Sequence, residues 1–183
     1  QIAASHCIAP RTKPLPLAGI EAVLAGKPVS LTAFHSRKLE RWVRETIAAR
    51  DIAAIVVFSG QMGQYVPADF QGRVVIDLCD VDSAKFASYA QGGERVWLNA
   101  REARLLAREE ERLGVRADAT ILISEAEAAL YRSRLTAPEA WTLSRIDETW
   151  QIEQWGADEE ASTLEAARHA ALLDASRFYA LCG

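Results

Sequence analysis

Arg73-Val74-Val75-Ile76-Asp77-Leu78-Cys79-Asp80-Val81-Asp82-Ser83 decides how this chain folds. It opens on a short apolar run rich in β-branched residues that follows the Gly72 turn, the mark of a buried strand. Apolar residues that run on instead of alternating with polar ones belong to strands covered on both faces, and those occur in parallel sheets. The polar residues Asp80, Asp82 and Ser83 then close the run.

Two similar runs flank it. Ala53-Ala54-Ile55-Val56-Val57-Phe58 is bounded by Ser59-Gly60, and Ala119-Thr120-Ile121-Leu122-Ile123 comes later. Helical sequence separates the second and third runs. Ser83–Tyr89 is broken by Gly92-Gly93, and Val96–Leu113 is expected to end at Gly114 as a C′ glycine. Strands alternating with helices predict a parallel sheet with helical crossovers. Upstream, Leu39, Trp42, Val43, Thr46 and Ile47 stand at helical spacing behind Ser36 at an N-cap position. Residues 1–35 read as loop, apart from a short helix over Leu17–Leu24 ended by Gly26 and Pro28.

The pattern changes after Tyr131. Thr136-Ala137-Pro138-Glu139 matches a capping box with Pro in the first turn, and predicts a helix to about Gln154. Asp158 opens a last helix, in which Leu164, Ala167, Ala171, Ala175, Phe178 and Cys182 recur at three- and four-residue steps. The expected architecture is therefore α/β: an incomplete Rossmann-like parallel layer over residues 1–134, then an all-α hairpin tail over 135–183. No strand is expected in the last fifty residues.

Composition excludes several function classes. Half of the 183 residues are hydrophobic, a quarter are charged, and the net charge is -4, which does not suit nucleic-acid binding. The dense stretch Arg101 to Arg116 mixes Arg with Glu and reads as a solvated helix face. Cys7, Cys79 and Cys182 lie far apart, without a CxxC or Cys/His cluster, so no metal site is expected and the thiols read as reduced cytoplasmic cysteines. No apolar run approaches the ~18–20 residues that span a bilayer. His6, His35 and His169 have no metal or triad partner near them in sequence. No nucleophile elbow, phosphate loop or Rossmann glycine fingerprint is present, so no catalytic residue and no cofactor is assigned.

In open parallel sheets, ligands bind outside the carboxyl ends of the strands. Two polar clusters fall there: Asp80, Asp82 and Ser83 after the second strand, and Ser124, Glu125 and Glu127 after the third. Ser124 and Glu127 also have capping-box spacing, and Asp82 could cap the Ser83 helix, so capping alone could account for part of both clusters. Two neighbouring acids repel each other unless they are solvated or engaged by a ligand. Asp80, Asp82, Ser83, Ser124 and Glu127 are the candidate cleft residues.

Residues 22–132 resemble the N-terminal domain of GT-B sugar transferases of the glycosyltransferase 4 type, closest to the group associated with exopolysaccharide systems. The resemblance is carried by Leu24-Ala25-Gly26-Lys27-Pro28-Val29-Ser30-Leu31, Val57-Phe58-Ser59-Gly60-Gln61-Met62-Gly63-Gln64-Tyr65-Val66, Asp80–Ala90, Arg101-Glu102-Ala103-Arg104-Leu105-Leu106 and Ser124–Ala128. It implies transfer of a sugar from a nucleotide donor to an acceptor in a cleft between two Rossmann-like domains. The family's first strand with its glycine-rich turn, and its donor domain, have no counterpart in this sequence, so the expectation is an acceptor-side domain inactive alone.

Residues 135–182 resemble the C-terminal helices of the chaperones that attend the alpha subunit of the F-type ATP synthase. Here the resemblance rests on Ala140–Asp147, Trp150-Gln151-Ile152-Glu153-Gln154-Trp155-Gly156, Asp158-Glu159-Glu160 and Arg177-Phe178. It implies a partner surface of Trp150, Gln154, Trp155, Asp158 and Glu159. The plain alternative is an amphipathic hairpin with Trp141, Trp150 and Trp155 in its core. Each resemblance stops where the other begins, near Thr136-Ala137-Pro138, so two parts of unrelated origin with a small mutual contact are expected.

Overall fold

The computed structural model describes residues 5–136 and 178–182. It is an α/β structure. In chain order its elements are α1 (Leu15–Ala25), α2 (Val29–Phe34), α3 (Arg37–Ala49), β1 (Ala54–Phe58), a 3-10 helix (Gly60–Tyr65), β2 (Arg73–Cys79), α4 (Asp82–Gln91), α5 (Val96–Arg116), β3 (Ala119–Leu122), α6 (Glu125–Arg134) and β4 (Phe178–Cys182).

The three expected strands pair in parallel, with Ile55 opposite Val74, Val57 opposite Ile76 and Thr120 opposite Ile76. Parallel pairing follows from burial. Ala54–Val57 and Val74–Leu78 are all buried, so neither strand has a face to give to water. One face carries Ile55, Val57, Val74, Ile76 and Leu78 into the main core, with Leu39 and Val43 of α3, Met62 and Tyr65 of the 3-10 helix, Leu113 of α5 and Tyr131 of α6. The other face holds a smaller cluster of Val56, Val75 and Ile121.

Local chemistry sets the helix starts. The Ser36 hydroxyl accepts from the Leu39 N–H at 3.4 Å, as its N-cap position predicts. Helix α1 begins two residues earlier than expected, because Pro14 and Pro16 suit a first turn that needs no amide donors. It ends at Gly26, whose φ of 66° is the left-handed C-cap glycine adopts at low cost. Gly114 is not a cap: it lies buried within α5, which runs on to Arg116.

The larger correction is at the end of the chain. The periodicity that predicts a final helix through Phe178 and Cys182 fails there. Phe178–Cys182 is a strand, parallel to β1, and completes the order β3-β2-β1-β4. Without it β1 would present a row of unpaired amides and carbonyls, and a five-residue apolar segment fills that row as readily as it fills a helix face. Residues 178–182 therefore belong to the sheet and not to a separately packed hairpin. The rest of the predicted helical tail, residues 137–177, lies outside the described residues.

Candidate functional site

Parallel pairing brings the carboxyl ends of β1, β2 and β3 to one edge of the sheet. The end of β2 is reshaped by a bulge: the register to β3 shifts between Asp77 and Cys79, and Cys79 takes a φ of 61°. Bulges beside sites re-aim the side chains that follow. Here the Asp77 carboxylate holds the bulge by accepting from the Cys79 N–H at 2.9 Å. Asp80 emerges exposed and Asp82 half-buried.

A crevice at this edge is lined by Asp80, Asp82, Gln61, Glu109 and Glu110, with Leu31, Leu78, Leu106 and Leu113 beneath. Gln61 Nε2 donates to Asp82 Oδ2 at 2.7 Å, and the Ser59 hydroxyl donates to Gln61 Oε1. Ser59 is held at a φ of 74°, a strained conformation outside glycine, with its N–H donated to the Asp77 carbonyl at 2.8 Å.

The five predicted cleft residues separate into two groups. Asp80 and Asp82 line the crevice together. The other three are held by structural bonds. Ser83 is fully buried: its N–H and hydroxyl donate to the Glu110 carboxylate at 2.8 and 2.5 Å, while Arg134 Nε donates to its hydroxyl oxygen at 3.1 Å. The Ser124 hydroxyl accepts from the Glu127 N–H at 3.2 Å, as an N-cap should. Glu127 reaches across to accept from the Val81 N–H at 2.9 Å.

Capping thus accounts for Ser124 but not for Asp82. Glu110, from α5, binds the first turn of α4 in its place, leaving the Asp82 carboxylate to Gln61 and the crevice. Burial pushes the Glu110 carboxyl above its ordinary range, against the Ser83 hydrogen bonds and with the negative field of Asp82 adding to it. Burial, with Asp77 and Asp80 alongside, pushes the Cys79 thiol up to about 12, so it stays protonated and is no nucleophile.

Sequence reasoning missed Gln61, Glu109 and Glu110. For Glu110 a signal existed: Leu106, Glu110 and Leu113 share one helical face, so a carboxyl stands in an apolar stripe. The expected partner residues Trp150, Gln154, Trp155, Asp158 and Glu159 lie outside the described residues. Among the described residues no group of three His, Cys, Asp or Glu side chains is placed to hold a metal ion, and no helix is long and apolar enough to cross a membrane. The chain matches no family model, and no curated protein or solved structure is significantly similar to it.

Proposed function

We propose that this α/β layer is the acceptor-facing part of a sugar-transfer fold, and that a hydroxyl-rich acceptor binds at the carboxyl ends of β1 and β2. The observation that carries the reading is the lining of the crevice. It sets Asp80 and Asp82 beside Gln61, with Glu109 held by Arg112 and Glu110 by Ser83, and among the described residues no Lys, Arg or His lines it. Carboxylates accept hydrogen bonds from sugar hydroxyls and have no proton to offer when ionised. The pyrophosphate of a nucleotide sugar would meet the like charge of Asp80 and Asp82 there, so the rim suits the neutral acceptor and not the donor.

Its volume, about 10 Å³, holds roughly one water, far below the ~300 Å³ of a small-ligand pocket. An acceptor would therefore lie across the exposed rim at Asp80, not inside. Ser83, Ser124 and Glu127 support the rim from below.

The test has two arms. Nucleotide sugars offered to this chain alone should release no sugar; turnover would show that it carries a donor site. Oligosaccharide acceptors should shift the amide resonances of Ser59–Gln61 and Asp80–Asp82, and Asp80→Asn with Asp82→Asn should weaken binding about tenfold or more, the effect of ~1.5–3 kcal/mol for hydrogen bonds to charged groups. Shifts elsewhere, or affinity that ignores both substitutions, would overturn the reading. The rival expectation, a chaperone for the F-type alpha subunit, is tested by pull-down with that subunit and by its loss on Trp155→Ala.

A further inference from the structure

Helix α1 is apolar almost all round and turns its small residues, not its large ones, toward the body. Ala18 and Ala22 face inward and are fully buried, while Leu17, Ile20, Val23 and Leu24 face outward, Leu24 being 83% and Ile20 62% exposed. A surface helix ordinarily buries its large aliphatic side chains and leaves small or polar ones to water. Here the small residues bring the helix close to the body, and the apolar bulk is displayed. Contiguous exposed apolar surface of this kind marks an interaction site.

Helix α5 supplies the second observation. The stretch Arg101 to Arg116 is not a uniformly solvated face, because its acids and bases are sorted. Glu102 and Glu110 point inward, 2% and 6% exposed, alongside Leu106 and Leu113. On the opposite side Trp97, Arg101, Arg104 and Arg108 recur at four-, three- and four-residue steps and form one stripe. Trp97 is 67% exposed, and Arg104 and Arg108 are exposed. Arg101 joins the two surfaces, its Nη2 donating to the Ala22 carbonyl of α1 at 2.9 Å. Lys27 and Arg95, both exposed, stand at the adjoining helix ends. Glu21, the single acid of α1, is neutralised by Lys13 at 2.6 Å.

We infer that the outer face of α1, with the tryptophan-arginine stripe of α5, docks this protein onto an anionic lipid bilayer surface. The chain carries a net charge of -4, yet here the exposed Lys27, Arg95, Arg104 and Arg108 outnumber the exposed Glu94, so the charge is local and complementary to anionic headgroups. Leu17, Ile20, Val23 and Leu24 are all exposed on one side of the helix, which suits entry among acyl chains. Tryptophan favours the membrane–water interface, and Trp97 is exposed to reach it. No described helix can span the bilayer, so the protein would lie on it. This inference stands apart from the reading of the strand ends.

Vesicle co-sedimentation of the full chain tests it. Binding should appear with phosphatidylglycerol-containing vesicles, be absent with phosphatidylcholine alone and weaken as salt rises. Arg104→Gln and Arg108→Gln should each lower the affinity about fivefold. Ile20→Ser with Leu24→Ser should abolish binding while circular dichroism stays unchanged, since both positions are exposed. Three outcomes would overturn the inference: no binding to anionic vesicles, equal binding to both vesicle types, or binding that ignores both sets of substitutions. Self-association lost in the serine variant, with vesicles ignored, would assign the face to a second copy of the chain instead.

Discussion

Asp77 stands in the middle of β2 with only 4% of its surface exposed, opposite Ile121 in the register of the sheet. Burial raises its carboxyl pKa, the Cys79 N–H opposing the rise. A carboxyl raised above its unfolded value adds stability below that value and loses it as the pH climbs through the folded one. Glu110 has the same sign. Through these two groups the chain should gain stability as the pH falls from neutral toward the ordinary carboxylate range. Asp77→Asn keeps an acceptor for Cys79 while removing the charge. Urea midpoints measured across pH should show the variant more stable than the parent at neutral pH and flatter on acidification; an unchanged profile would mean that Asp77 does not titrate in this window. Sequence placed Asp77 in a strand. The bulge it braces depends on the register with β3, which no local pattern reports.

At the scale of elements, α5 caps two other helices. Glu102 accepts from the Val29 N–H at 2.8 Å, the Ser30 N–H at 2.9 Å and the Ser30 hydroxyl at 2.8 Å, closing the first turn of α2. Neither Pro28 at the N-cap of α2 nor Val81 at that of α4 supplies a side-chain cap, so both helices draw their carboxylate from α5, Glu102 for α2 and Glu110 for α4. That is why residues 29–34 read as loop. The group that completes the helix lies 72 residues away, whereas the caps of α3 and α6, Ser36 and Ser124, stand at the helix starts and were legible. Glu102→Ala should cost about 1–3 kcal/mol, the penalty of stranding buried donors, and speed amide exchange at Val29 and Ser30. Glu102→Gln should recover part of the loss. Equal exchange in the parent and the alanine variant would contradict the capping role.

Over the whole molecule, the sheet ties the last described residues of the chain back to β1. Strand β4 covers the edge of β1 over its full five residues, from Ala54 opposite Phe178 to Phe58 opposite Cys182. Removing residues 178–183 should uncover that edge, lower Tm by about 2–4 °C for each kcal/mol lost and make the protein prone to aggregate through β1. Thermal melts with light scattering would show both effects, and an unaltered melt would exclude β4 from the stable sheet.

Strand type and parallel pairing were written locally, because unbroken β-branched runs such as Val74-Val75-Ile76 cannot leave a face in water. Caps made by neighbours in sequence, at Ser36 and Ser124, were legible for the same reason: donor and acceptor lie within one turn. Tertiary structure alone decided that Phe178–Cys182 is a strand, since a short apolar segment takes the conformation of whatever surface lacks a partner. It alone freed Asp82 by giving the α4 cap to Glu110, and it alone sorted the acids of α5 inward and its arginines outward. Each of these depends on groups far apart in the chain meeting in space, where desolvation and hydrogen bonding choose among options that local propensity leaves nearly equal.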